Sequence, residues 1–206
     1  MNRRGILLIG MALMALCSIS QANITNVTFA SDNDGALVCS PYVWNGNSNE
    51  VAVSMYGDQF WAPGHVLMDI YATDAQDPTV KISNSIENDS TFAWTEFKVN
   101  LTMAVGFTLT NVTLTAPGGW SVVSFNQTAI NTGSNYLATV IYDTGAPIPN
   151  DALSTIDFGY WVKFSGSPSY SLTQEFIPVP EPSTMVLIAV GGLLLGGSVM
   201  RRRRRS

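Results

Sequence analysis

From Ile156 to Phe164 every second residue is large and apolar: Ile156, Phe158, Tyr160, Val162 and Phe164. A repeat of two places all five side chains on one face of an extended strand. A helix cannot gather them, because its faces recur at three and four residues. The same alternation appears at Val51, Val53 and Met55, and at Val66, Met68 and Ile70. It appears again at Ala93, Thr95, Phe97 and Val99, which leaves Trp94 and Glu96 on the opposite, outward face. Further strands are expected over 24–29, 36–39, 79–86, 120–125, 136–142 and 170–176, and no window of useful length carries an amphipathic helical period.

One stretch changes phase. Val105, Phe107 and Leu109 are odd, whereas Val112 and Leu114 are even. A slip of one residue exchanges the two faces of a strand, so Thr110-Asn111 is expected to be a bulge or tight turn. Turn chemistry separates the other runs: Asn33-Asp34-Gly35, Asn45-Gly46, Ala62-Pro63-Gly64, Asp77-Pro78, Pro117-Gly118-Gly119, Thr132-Gly133-Ser134 and the segment 145–150. Many short strands at this spacing predict an all-β fold: an antiparallel two-sheet β-sandwich of immunoglobulin-like or jelly-roll type.

The last part of the chain has another character. Pro178, Pro180 and Pro182 alternate, and fixed φ with extended geometry before each proline predicts a stiff stalk over 177–184. Residues 185–200 carry no charge. As a helix they would span about 24 Å, somewhat less than a hydrocarbon core, a gap that snorkelling or local thinning closes. Arg201, Arg202, Arg203, Arg204 and Arg205 then stop transfer and stay in the cytoplasm, with Ser206 behind them. A core helix or a nucleic-acid-binding tail would not account for stalk, apolar run and basic stop in this order.

Val179-Pro180-Glu181-Pro182-Ser183-Thr184, the glycine- and leucine-rich segment and the arginine cluster together resemble the PEP-CTERM sorting signal of Gram-negative bacteria. The resemblance covers about 179–205. It implies that an exosortase, an integral-membrane cysteine protease or transpeptidase, recognises Pro180, Glu181 and Pro182, removes the helix, and releases or re-attaches the protein. It also implies a setting of exopolysaccharide and biofilm matrix. The N-terminus agrees with export: Arg3 and Arg4 precede an apolar run over 5–16, and Ser20-Gln21-Ala22 places small residues where signal peptidase reads. Residues 1–22 are therefore expected to be a signal peptide cut between Ala22 and Asn23. Cys17 invites a lipoprotein reading, but Leu16 stands where a small residue is needed.

The body expected to remain, 23–176, is large enough for one domain with a real core. All seven arginines lie outside it, leaving Lys81, Lys98 and Lys163 against fourteen carboxylates, a net charge near −11. That balance excludes nucleic acid and anionic lipid as partners. Cys39 is the only cysteine of this body, so no intramolecular disulfide can form there. Asn-x-Ser/Thr triplets begin at Asn23, Asn26, Asn88, Asn100, Asn111 and Asn126, a natural outcome in a chain so rich in asparagine and threonine.

Chemistry-bearing residues are few. His65 is the only histidine and no Gly-x-Ser-x-Gly elbow accompanies it, so a serine triad is not expected, nor a zinc site with one histidine and one cysteine. Glu50, Glu87, Glu96 and Glu175 are the carboxylates that a glycan-active hydrolase would have to draw on. Asp32 and Asp34 in Ser31-Asp32-Asn33-Asp34-Gly35 are candidate calcium ligands, although such residues also build turns unaided, and no other cofactor is expected. Trp44 and Trp61 stand beside turn signals and are the candidates for stacking on sugar rings.

The expectation is thus an exported protein, anchored in the inner membrane until processed and then resident at the cell surface or outside it. Its sandwich would be a non-catalytic structural or adhesive component, the alternative being a carbohydrate-binding module for exopolysaccharide. Its partners would be signal peptidase, an exosortase, the membrane through the C-terminal helix, and exopolysaccharide or other matrix proteins.

Overall fold

Thirteen strands carry the alternation into three dimensions in the computed structural model, which describes residues 24–31, 35–39, 43–47, 50–60, 63–72, 79–150, 154–164 and 169–181. In chain order they are β1 (Ile24–Ser31), β2 (Leu37–Cys39), β3 (Val43–Asn47), β4 (Glu50–Gln59), β5 (Gly64–Ala72), β6 (Thr79–Asn88) and β7 (Trp94–Met103). They continue as β8 (Phe107–Thr115), β9 (Ser121–Phe125), β10 (Ile130–Asn131), β11 (Tyr136–Asp143), β12 (Thr155–Phe164) and β13 (Ser169–Pro180). One sheet has the order β1-β5-β13-β7-β11, with β9 and β10 both on the outer edge of β11. The other has the order β2-β4-β6-β12-β8, with β3 also on β4.

The all-β expectation and its two sheets hold, but the sandwich is not wholly antiparallel. Strands β4 and β6 run parallel over their full length, from Glu50↔Thr79 to Gln59↔Asn88. The cause is the route of the chain: β5 lies in the opposite sheet, and a reversal into it followed by a reversal out of it restores the original direction.

Between the sheets lies one core. The stripes Val51, Val53 and Met55, Val66 and Met68, and all five residues from Ile156 to Phe164 are buried in it. Rings from both sheets meet there: Phe97 of β7 lies 5.6 Å from Phe158 of β12, and Phe176 of β13 meets Phe158 edge-on at 5.6 Å. Such tilted and edge-on pairs add about 0.5–1.5 kcal/mol each to the area they bury.

Two bulges set the phase of the inward stripes. In β8, Gly159 faces Thr113 and Trp161 faces Thr110, so β8 holds one residue more than its partner; Asn111 adopts φ 49° there. The expected phase change is therefore a bulge, and Val112 and Leu114 rejoin the core beyond it. The second bulge overturns an expectation. Val179 faces Glu96 and Pro180 faces Trp94, so Thr95 is the extra residue and Trp94 turns inward beside Phe97, fully buried, with ring centroids 5.1 Å apart. Simple alternation had put Trp94 outside with Glu96.

Polar groups inside the sandwich tie elements together. Tyr160 donates to Gln174 Oε1, which also accepts from Asn84 Nδ2 at 3.2 Å, a link from β12 and β6 across to β13. At one end, buried Asn88 donates to the carbonyls of Phe92, Ile148 and Pro149 and accepts from Ser90, clamping the β6–β7 connection to the 148–149 segment. Ser90 Oγ in turn receives the Trp94 indole N–H at 3.1 Å.

Candidate functional site

The clamped end is where β13 leaves the body. Its pairing with β5 stops at Phe176↔Gly64, but its pairing with β7 continues through Ile177↔Lys98, Pro178↔Phe97, Val179↔Glu96 and Pro180↔Trp94. The Glu181 N–H then donates to Ala93 O at 3.3 Å, and Thr95 Oγ1 donates to the carbonyls of Val179 and Pro180 at 3.3 and 3.4 Å. In an antiparallel strand the amides alternate sides, so Val179 and Glu181 address β7 while Pro178 and Pro180 address the side where β5 no longer pairs. Proline lacks only the donor that has no partner on that side, which is the edge position it tolerates in a sheet. Pro178 is buried and Val179 to Glu181 are half-buried. Four residues assigned by sequence to a free stalk, Ile177 to Pro180, thus belong to the sheet.

A second arrangement occupies the outward face of the β2-β4-β6-β12-β8 sheet. Register lines up four residues in a row across it, Ser54, Ser83, Gly159 and Thr113, all small. The next row is Ala52, Lys81, Trp161 and Thr110; the row on the other side is Tyr56, Ser85, Asp157 and Thr115. Against the row of Ala52, Lys81 and Trp161 the small residues leave a trough of about 570 Å³, lined also by Asn111 from the β8 bulge. Gly159 is required at its floor: a Cβ there would lie 2.7 Å from the Ile82 carbonyl oxygen and 3.2 Å from Thr113 Oγ1. The Trp161 indole is half-buried, and the Lys81 ammonium sits 4.5 Å from its centroid while bonding Glu50 at 2.7 Å.

Beyond the trough the same face turns acidic. Asp58, Glu87 and Asp89 lie near one another, and Tyr56 donates to Glu87. Burial, opposed by a hydrogen bond with Tyr56 and helped by the charges of Glu87 and Asp89, raises the Asp58 carboxyl above its ordinary value. On the other sheet His65 faces Glu175 at 3.4 Å, and Glu175 accepts from Asn100 Nδ2 at 2.8 Å. His65 thus stands in a cross-strand polar row with Glu175 and Asn100.

Residues 178–205 match the family model of the PEP-CTERM protein-sorting motif. The tail is a PEP-CTERM motif. Such a motif implies export, a membrane-anchored state before processing, and an exosortase as the processing partner. The match begins at Pro178, inside β13, so the PEP-CTERM motif and the sandwich share Pro178, Val179 and Pro180. No curated protein and no solved structure matches the chain.

Of the residues singled out by sequence, Pro180 and Glu181 are placed by the structure, at the last pairing with β7. Pro182, the Ala22–Asn23 junction, residues 185–200 and Arg201 to Arg205 lie outside the described residues, among which no helix is long and apolar enough to cross a membrane. Asp32 and Asp34 also lie outside them, and among the described residues no group of three or more His, Cys, Asp or Glu side chains is placed to hold a metal ion. Trp61 lies outside them too; Trp44 registers with Val53, and its side chain is not among those described. Trp94 and Trp120 are buried in the core. Trp161 stands in mid-strand, away from the turn signals that single out Trp44 and Trp61 among the five tryptophans. Its signal was the alternation itself: an even apolar stripe from 156 to 164 sends 161 outward.

Proposed function

We propose that this is an exported, exosortase-processed protein of the cell surface or extracellular matrix, in which the sandwich is a structural or adhesive body without catalytic activity. One observation carries the reading: the strand that enters the PEP-CTERM motif is an interior strand of its sheet, hydrogen-bonded to β5 on one side and to β7 on the other. Tension applied through the tail would run along β13 and shear two ladders of backbone hydrogen bonds together. A body built to hold position while attached at one end gains from that continuity. The setting of exopolysaccharide and biofilm matrix follows from the resemblance of the tail, and the strongly acidic body suits a soluble surface component.

The test separates the motif from the strand it shares. Glu181→Ala with Pro182→Ala alters the motif beyond the last paired residue and leaves Pro180 in register. In the producing cell this variant should accumulate at full length in the inner membrane; release at the normal rate would refute the processing reading. Deleting the protein should lower the cohesion of the surface layer or biofilm without changing polymer output, and unchanged cohesion would refute the structural role.

A further inference from the structure

We infer that the trough on the outward face of the β2-β4-β6-β12-β8 sheet binds a neutral glycan, with Trp161 as the stacking surface. The trough crosses four strands, about 14 Å at the usual strand spacing, enough for a short run of sugar rings. Its lining mixes one aromatic ring with hydroxyl, amide and ammonium groups: Ser54, Ser83, Thr113, Asn111 and Lys81 around Trp161. A pyranose has an apolar face and a rim of hydroxyls that both donate and accept, and this lining complements both. Gly159, two residues before Trp161 on the same strand, puts no side chain into the trough beside the indole, while Lys81 holds the indole from β6. The β8 bulge keeps Thr110, Asn111 and Thr113 all exposed at one end of the trough. Bulges commonly re-aim side chains beside binding sites.

Charge selects the ligand class. An anionic polymer would lie beside Asp157, with the Asp58–Glu87–Asp89 group beyond it on the same side, on a body of net charge near −11. A cation would meet Lys81 and no carboxylate in the lining. A neutral, hydroxyl-rich chain meets neither repulsion. The site does not depend on how the tail is processed, so its failure and that of the processing reading are distinguishable.

Binding of the full chain, held in a nonionic detergent without sugar headgroups, would be measured against immobilised neutral β-glucan, galactomannan and dextran, with polygalacturonate as the charged comparison. Binding to a neutral polymer is expected, persisting in about 0.5 M salt because no ion pairing drives it. Trp161→Ala should weaken it about tenfold or more through lost stacking. Ser83→Trp keeps Trp161 but fills the trough from an exposed position, and should abolish binding with an unchanged melting temperature. Absence of binding to every neutral polymer, binding to polygalacturonate alone, or binding that survives both substitutions would overturn the proposal.

Discussion

Two buried tyrosines show how much a single hydroxyl decides. Tyr142 and Tyr160 are both fully buried, and burial pushes both phenols above their ordinary value. The Tyr160 hydroxyl bonds Gln174, whereas the Tyr142 hydroxyl has no partner among the described residues. An unsatisfied buried hydroxyl costs about 1–3 kcal/mol. Tyr142→Phe should therefore stabilise the fold by about 1 kcal/mol at pH 7, while Tyr160→Phe should destabilise it by a similar amount by leaving Gln174 and Asn84 short of a partner. The sign with pH follows from the raised phenol. Below pH about 10 neither state ionises, and above it only the unfolded chain does, so folding stability falls as pH rises. The advantage of Tyr142→Phe should widen above pH about 10; melts at neutral and alkaline pH that run parallel for the two proteins would contradict this.

At the scale of elements, the connection from β6 to β7 carries the end of the sandwich from which β13 departs. Asn88 is its pivot, joining Phe92, Ile148 and Pro149, while Trp94 and Ile148 exchange backbone hydrogen bonds at 2.9 Å in both directions. Asn88→Ala should cost about 3 kcal/mol, because the buried amide's bonds to three carbonyls and from Ser90 are lost together. Urea unfolding would measure it, and a loss within error of zero would mean that the clamp is not structural. The bulges were legible to different degrees. That in β8 announces itself as a phase slip between Leu109 and Val112, because apolar residues stand on both sides of it. That at Thr95 does not, since Ala93 and Thr95 continue the odd phase as small residues that either face accepts; only pairing with Val179 and Pro180 turns Trp94 inward.

For the whole molecule, the shared residues at the end of β13 couple the PEP-CTERM motif to folding. A chain ending at Glu181 keeps every pairing with β7, whereas one ending at Phe176 uncovers the edge beside Phe97 and Trp94 and loses buried Pro178. The shorter chain should be less stable by at least about 2 kcal/mol, given the apolar surface re-exposed. Equal stability of the two in denaturant would show that the body ends before the prolines. Fold class, the positions of most strands, the β8 bulge and the sorting address are local properties: hydrophobic period, turn residues and a contiguous motif report them within a few residues of chain. The parallel β4–β6 pair, the inward turn of Trp94, the strand character of Pro178 and Pro180, and the trough beside Trp161 are different in kind. Each depends on which strand lies alongside, between partners 29 residues apart for β4 and β6 and more than 80 for β7 and the end of β13, and that choice is made by burying both faces of the sandwich at once.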